Sequence, residues 1–276
     1  MIISLIQTSQ NRKVELKRFI NSLNHQISVD FSKIQFIFID QGNNCEIFND
    51  LDKRIDFTYI KYKPCSLSHA RNIGLSHVKG EYIGFPDDDC WYEKDTLMRV
   101  VSLFKQNYVG VIARGTDENG ITINKSPRNT QIISLYSHCG AISYTIFLKY
   151  ITGFFFDENI GVGSPYRLSS GEETDFLIRS IRKLGNNILY DNHIIVHHPK
   201  NKCGNFINTE IKQYEYARGW GYLLRKYRYP LREYIKSFIR PIGGIVLSVL
   251  TLNPKKAYHS YLIIKGRIEG FFFKIN

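Results

Sequence analysis

The sequence predicts an α/β fold, a mostly parallel sheet flanked by helices, followed by a basic, mainly helical C-terminal extension. Three observations predict it. Strand-like and helix-like segments alternate from Ile2 to Gln106. Polar clusters follow the apolar runs, at Thr8 to Arg12, Asp40 to Asn44 and Asp87 to Asp89. Positive charge collects at the end of the chain: residues 201–276 hold 14 Lys/Arg against 4 Asp/Glu, which is +10 of the net +12.

Taken in order, Ile2 to Gln7 reads as a buried strand. Asn11 can cap a helix whose apolar positions are Val14, Phe19, Ile20 and Leu23. Ile34 to Ile39 is a second strand, and Phe57 to Tyr62 a third. Pro64 then precedes a helix over 66–77. Gly80 to Phe85 is a fourth strand, stopped by Pro86, with a helix over 94–106. The stretch 107–166 mixes short β-like runs with turns. Glu172 to Leu184 forms a helix with Phe176, Leu177, Ile181 and Leu184 on one side and Gly185 at its stop. Ile188 to His197 is a further strand.

A hydrophobic fraction of 43% with 14% aromatics over 276 residues is globular composition, with material for a substantial core. The five cysteines are scattered with no CxxC pair, which reads as reduced thiols. No leader peptide or spanning helix is expected, since the longest apolar run, Ile242 to Leu252, has about half of the roughly 20 residues a crossing needs.

Chemistry is concentrated at four places. Asp87, Asp88 and Asp89 follow an apolar strand and repel one another, a cost that a hard divalent cation offsets while leaving positions open for phosphate. A solvated loop or helix cap would use the same residues. Position favours chemistry, because in parallel sheets ligands bind beyond the carboxyl ends of the strands. Arg71 and Asn72 lie near a helix start, where the backbone favours an anion and Arg offers a fork of donors. Glu172, Glu173 and Asp175 occupy the first turn of another helix; they suit its dipole, and a carboxylate there can take a proton from a hydroxyl. His197 and His198 follow a strand and offer a nitrogen ligand.

In this order and spacing the elements resemble the family 2 glycosyltransferases of the GT-A fold, over about residues 1–200. The strand end at Ile39-Asp40-Gln41-Gly42, the Ala70-Arg71-Asn72-x-Gly74 helix start, the acidic triplet and the Glu172-Glu173-Thr174-Asp175 helix start carry it. Arg218-Gly219-Trp220-Gly221 and Gly266-x-x-x-Gly270-Phe271 look like the C-terminal portion of bacterial polysaccharide-building members. The resemblance implies an inverting, metal-dependent transfer of sugar from a nucleotide-diphosphate sugar, UDP-linked, to a hydroxyl of a glycan or lipid-linked acceptor in cell-surface polysaccharide synthesis. It implies nucleotide contacts from Thr8, Asp40, Arg71, Asp87 and Asp88, Asp87 reaching the ribose or the metal. Mg²⁺ or Mn²⁺ would be held by Asp89 and His198, with His197 the alternate. Glu173 falls where the family usually has an Asp as general base, with Glu172 and Asp175 as alternates. The expected layout is a catalytic domain over 1–205, with a nucleotide-sugar half to about 110 and an acceptor half from 111, then a basic amphipathic region over 206–276.

In that last region Lys/Arg interleave with aromatic and apolar residues from Tyr222 to Tyr229. Such helices attract anionic lipid headgroups, so an anionic membrane surface is the expected partner, and a peripheral position on the inner, cytoplasmic face of the membrane the expected location. Helices packed on the domain with solvated charges would use the same composition. Nucleic acid is not an expected partner, because no recognised motif is present and the first 200 residues are nearly neutral. Two other readings compete. A nucleotidyltransferase would show an early Gly-rich phosphate loop, and Gln7 to Arg12 contains no glycine. A non-catalytic nucleotide-sugar-binding scaffold would not need the acidic triplet together with Glu172 and Glu173.

Overall fold

The computed structural model describes residues 2–123, 125–200 and 206–275, with 206–209 described by their backbone alone. The chain divides into two compact units. The first contains a nine-stranded sheet of order β3-β2-β1-β4-β8-β6-β9-β5, with β7 paired to β9. Its strands are β1 (Ile3–Ser9), β2 (Ile34–Asp40), β3 (Asp56–Lys61), β4 (Tyr82–Gly84), β5 (Trp91–Tyr92), β6 (Gly110–Thr116), β7 (Gln131–Ile132), β8 (Ile146–Lys149) and β9 (Ile188–His197). The strands β3, β2, β1 and β4 run parallel, while β8 inserts antiparallel between β4 and β6.

Both faces of this sheet are covered, which is why β1 and β2 are buried along almost their whole length, polar Ser4, Gln7 and Gln35 included. The pleat still sorts their side chains. Ile3, Leu5, Phe36 and Phe38 join one core cluster with α1 (Lys13–Asn24) and α3 (Thr96–Lys105). Ile6, Ile37 and Ile39 join the other, with α2 (Leu67–Leu75) and the body of α4 (Glu172–Leu184). In α1 the core face is Leu16, Phe19, Ile20 and Leu23, an i, i+3, i+4, i+7 series. Val14 stands outside that series and is 78% exposed, so its expected place on the core face is corrected. Arg12, not Asn11, occupies the N-cap, and its side chain makes no cap. Gly185 ends α4 at φ +90, donating its N–H to Ile181 O at 2.9 Å.

The second unit gathers residues 66–68, 157–175 and the chain from 206 onward. The expected boundary at 205/206 and Cys203 fall at 201–205, outside the described residues; the other four cysteines form no disulfide. Three helices dominate the unit: α5 (Phe206–Lys226), α6 (Leu231–Leu250) and α7 (Pro254–Phe272). Gly221, Gly266 and Gly270 serve close packing between α5 and α7. A Cβ on Gly221 would lie 2.1 Å from Arg267 O, and one on Gly270 would lie 2.0 Å from Arg218 O. Among the described residues, no helix is long and apolar enough to cross a membrane.

Candidate active site

The centre of the first unit's sheet is where chain direction divides. From β1 the chain proceeds to β2 on one side, and β4 pairs with β1 on the other. The loops leaving β1 and β4 therefore meet at one sheet edge, the crevice in which α/β sheets take ligands. Gln7 Nε2 donates to Asp87 O at 3.0 Å, and Ser9 Oγ donates to Asp88 Oδ2 at 2.7 Å. Arg12 is hydrogen-bonded to Asp89 and lies 3.6 Å from Asp88 Oδ1. Asp88 and Asp89 share Arg12 while Asp87 turns to other partners, and this spread of donors and positive charge is how adjacent acids coexist. Asp87 Oδ1 accepts from Ser143 Oγ at 2.8 Å and from Arg71 Nη2 at 3.3 Å. Asp89 Oδ1 lies 2.8 Å from His198 Nε2.

Among the described residues, Asp87, Asp89 and His198 form a group able to hold a metal ion, their ligand atoms all within 4.8 Å of one another. His198 is held for the task. Its Nδ1 lies 2.9 Å from Pro199 O and its ring stacks on Tyr144 at 4.9 Å. A proton on Nδ1, donated to that carbonyl, leaves the Nε2 lone pair for a cation. Two carboxylates and an imidazole fit a divalent cation that accepts both oxygen and nitrogen, a set that suits Mn²⁺ better than the oxygen-seeking Mg²⁺. Without a cation, burial would raise the Asp89 carboxyl, but His198 and Arg12 outweigh it and hold it below its ordinary value. Burial likewise pulls His198 down, and Asp89 more than restores it, so the imidazole sits above its ordinary value. Burial wins at Asp88, whose carboxyl is raised.

Arg12 thus places a positive charge where a cation would compete for the same carboxylates. Arg12→Ala is expected to tighten Mn²⁺ binding by about fivefold, corresponding to about 1 kcal/mol of removed repulsion at a half-exposed site. Paramagnetic titration of free Mn²⁺ against the purified variant reads this directly. Weaker binding would instead mean that Arg12 shapes the loop.

His197 does something else. Its Nδ1 lies 2.8 Å from Thr116 Oγ1 and 3.1 Å from Asp117 O, its Nε2 lies 2.7 Å from Glu93 Oε1, and its ring stacks on Trp91. With both nitrogens engaged on the framework it stands apart from the metal group, which corrects its candidacy as alternate ligand. Thr8 is partly exposed near the end of β1, opposite Ile39. Asp40 is fully buried, and its carboxylate accepts from Gly42 N, Asn44 N and Asn44 Nδ2 at 2.8–2.9 Å and from Tyr59 OH at 2.6 Å. Burial would raise it, but those bonds hold it below the ordinary carboxylate range. What Asp40 demonstrably does is shape the loop 41–44. Arg71 is 2% exposed, with its guanidinium 5.4 Å from the centre of the Phe156 ring, so one head group bridges Asp87 and an aromatic wall.

The acids at the start of α4 belong to the second unit. Glu172 is 3% exposed; a Cβ on the neighbouring Gly161 would lie 2.8 Å from its Cδ. Asp175 is fully buried, 2.7 Å from Lys226 Nζ and hydrogen-bonded by Tyr227 OH. Lys226 also pairs with Asp157 at 2.7 Å. A carboxylate locked in this way has no open side for a substrate hydroxyl, which corrects Asp175 as an alternate base. Glu173 is the partly exposed member of the three.

The Lys226 cluster ties α5 to the first turn of α4, and nothing in the sequence separated this lysine from the other cations of its run. Lys226→Met strands Asp175 as a buried charge and is expected to cost about 2–4 kcal/mol, less than a fully buried pair because Lys226 is a quarter exposed. A urea midpoint at pH 7 measures it. The pH window follows from the shifts. Burial opposes the charged form of Asp157, but Lys226 outweighs it and lowers the carboxyl. Burial also opposes the charge of Lys226, but Asp175 and Asp157 raise the amine. The carboxylate's contribution is complete above its unfolded value of about 4 and is lost as pH falls through the lowered folded value. The amine's contribution is complete below its unfolded value of about 10 and is lost as pH rises through the raised one.

Arg12 lies in the polar segment after β1, where its residue type alone points to no role, and Ser143 lies in the irregular stretch 107–166, where the sequence carries no signal for it.

Comparison with known proteins identifies the family and the fold. The profile of a family described as Glycosyl transferase family 2 matches residues 4–166, more than half of the chain. The chain is 30% identical over 99 residues to Glycosyltransferase GlyA of Streptococcus pneumoniae, covering 34% of this chain and 14% of that protein. It is 34% identical over 116 residues to an uncharacterized glycosyltransferase of Haemophilus influenzae, covering 39% of this chain and 44% of that one. The matches thus span less than half of the length of these curated relatives. Among solved structures, residues 1–349 of Staphylococcus aureus TarS in complex with UDP-GlcNAc align with TM-score 0.61 at 13% identity, over 100% of this chain and 94% of that one. The mannosyltransferase PcManGT of Pyrobaculum calidifontis, in complex with GDP-Man and Mn²⁺, aligns with TM-score 0.63 at 13% identity, over 99% and 88%. At such identity the structural likeness speaks for the fold alone, and it is the GT-A fold. The profile match spans β1 to β8 and includes the acidic triplet at the sheet's switch point; the chain belongs to glycosyl transferase family 2.

Proposed function

We propose that this protein is an inverting glycosyltransferase that moves a sugar from a nucleoside-diphosphate sugar, UDP-linked, to a hydroxyl of a glycan or lipid-linked acceptor in cell-surface polysaccharide synthesis at the cytoplasmic face of the membrane. One observation carries the reading: the ligand atoms of Asp87, Asp89 and His198 lie within 4.8 Å of one another beyond the carboxyl end of β4. Complexes of like-folded proteins with UDP-GlcNAc and with GDP-Man and Mn²⁺ support it.

When bound, the divalent cation supplies charge neutralisation for the diphosphate that leaves. The rest of the work falls to the chain. Asp89 and His198, with Asp87, would hold the cation; Arg71 beside Asp87 adds a fixed positive charge, and Thr8 and the loop shaped by Asp40 take up the nucleoside. Asp88 holds the loop after β1 through Ser9 and contributes to the nucleotide end of the site. Glu173 takes the proton from the acceptor hydroxyl. The acceptor oxygen forms a bond to the anomeric carbon as the bond to the diphosphate oxygen breaks on the opposite face, and the bonding pair departs with the nucleoside diphosphate.

A thermal-shift comparison of UDP, GDP and their sugars, with and without Mn²⁺, tests the donor site, because a ligand of the native state raises apparent stability. The expected result is a shift of several degrees for a uridine nucleotide that depends on the metal, roughly what a ligand at a hundred times its Kd delivers. A protein that no nucleotide shifts has no donor site of this kind.

A further inference from the structure

Helix α6 wears its amphipathic pattern inside out. Its buried residues are small: Ser237, Pro241 and Ser248. They face the neighbouring helices. Trp220 Nε1 of α5 donates to Ser237 Oγ at 2.9 Å, Arg267 of α7 donates to Ser237 O, and a Cβ on Gly244 would lie 2.6 Å from Ser260 Oγ of α7. The large apolar residues point to solvent. Leu231, Ile235, Ile239, Ile242, Val246 and Val249 recur at intervals of three and four, a single exposed stripe along the helix. Exposure widens at the turn into α7, where Leu250 is 75% and Leu252 90% exposed. From Pro241 to Pro254 the chain carries no charge.

Cations run beside this stripe and just past its turn. Arg232, Lys236 and Arg240 form a row beside the stripe, and Lys255 and Lys256 open α7, all on exposed positions. Tyr258 and Tyr261, half exposed and stacked at 6.2 Å, follow them. Glu233 is the single acid between Leu231 and Tyr261, and it is taken by Arg232 at 3.4 Å and Lys236 at 3.0 Å. A stripe this long is left open to water only where something else covers it. A second copy would set the same cations against each other with no spare acid to meet them. An anionic lipid surface satisfies both features at once, with headgroups at the cations, the apolar stripe at the acyl boundary and the tyrosines between them. The uncharged run is interfacial in length, shorter than a crossing requires.

We propose that the α6–α7 hairpin is a monotopic anchor that lays the apolar stripe of α6 and its turn, Ile242 to Leu252 above all, into the interface of an anionic lipid bilayer while Arg232, Lys236, Arg240, Lys255 and Lys256 hold the headgroups. The proposal does not depend on the transferase reading, since vesicle binding and not turnover measures it. The full chain is floated with phosphatidylcholine vesicles, with and without phosphatidylglycerol, at low and high salt. The expected result is binding to the phosphatidylglycerol vesicles that weakens with salt, and that Val246→Asp/Leu250→Asp lowers by at least about tenfold. Paired aspartates could disturb the helix, so Leu250→Trp gives an independent reading: on these vesicles its emission shifts to the blue and is quenched by brominated acyl chains. A natively folded chain that stays off phosphatidylglycerol vesicles at low salt overturns the proposal. So does a concentration-dependent dimer in sedimentation that the aspartate pair dissociates, because a second copy would then cover the stripe.

Discussion

Asp89→Ala is expected to lower the rate of nucleoside diphosphate release from a nucleotide sugar by about a thousandfold, the upper end for loss of a group that holds transition-state charge. Asp89 is the hub of its cluster. It is 8% exposed, faces His198 on one oxygen and Arg12 on the other, and its own carbonyl accepts from Arg18 Nη2 at 2.7 Å. On the proposed function, removing the carboxylate takes away one of the three groups that would hold the cation and also the partner beside His198, so two of the three would suffer together. Asp89→Asn separates charge from shape, since the amide can still bond Arg12 but is a poor metal ligand. Initial rates across an Mn²⁺ titration are the measurement. Near-normal turnover at ordinary Mn²⁺ in the asparagine variant would remove Asp89 from the metal.

Glu173→Gln is expected to cut transfer by about a hundredfold to ten-thousandfold, the range for loss of a general base, while leaving nucleotide-induced thermal stabilisation intact. The choice of Glu173 rests on contrast with its neighbours. Glu172 is buried under Gly161, and Asp175 is locked by Lys226 and Tyr227. The two buried acids and α5 hold the first turn of α4 in place, and Glu173 is the one with a partly exposed side chain. Glu173→Asp is the companion variant. It installs the residue that the resemblance implies at this position and is expected to keep much of the activity, because the charge stays and the reach shortens by one methylene. If Glu173→Gln transfers sugar at the normal rate with donor binding unchanged, the proton goes elsewhere.

How much of this could be read beforehand depends on how local each signal is. β1, β2, β3 and β9 were legible to within a residue or two, because segments rich in Ile, Phe, Tyr and Val bounded by polar turns carry their own pattern. The two-residue strands β5 and β7 and the antiparallel insertion of β8 were not. Such strands are too short for a period, and their direction is decided by which edge is open. Val14 shows the same limit on a helix: an apolar residue in the right neighbourhood, one position off the face that packs.

At the site the division is similar. Residue types and their position after strands are properties of the linear chain, so the sequence by itself determined the α/β class, the family resemblance, the suspicion on Asp87 to Asp89 and the excess charge of the tail. It left His197 against His198 open, because adjacent residues at a strand end face opposite ways and only the register with Thr116 and Trp91 says which way. It could not see that Arg12, 77 residues away, neutralises Asp89, nor that Lys226 buries its charge against Asp157 and Asp175. The tertiary structure also decided that α6 turns its small residues inward and its leucines and isoleucines out. Partners and burial arise from contacts between distant segments, and energies of that kind leave no period in a sequence.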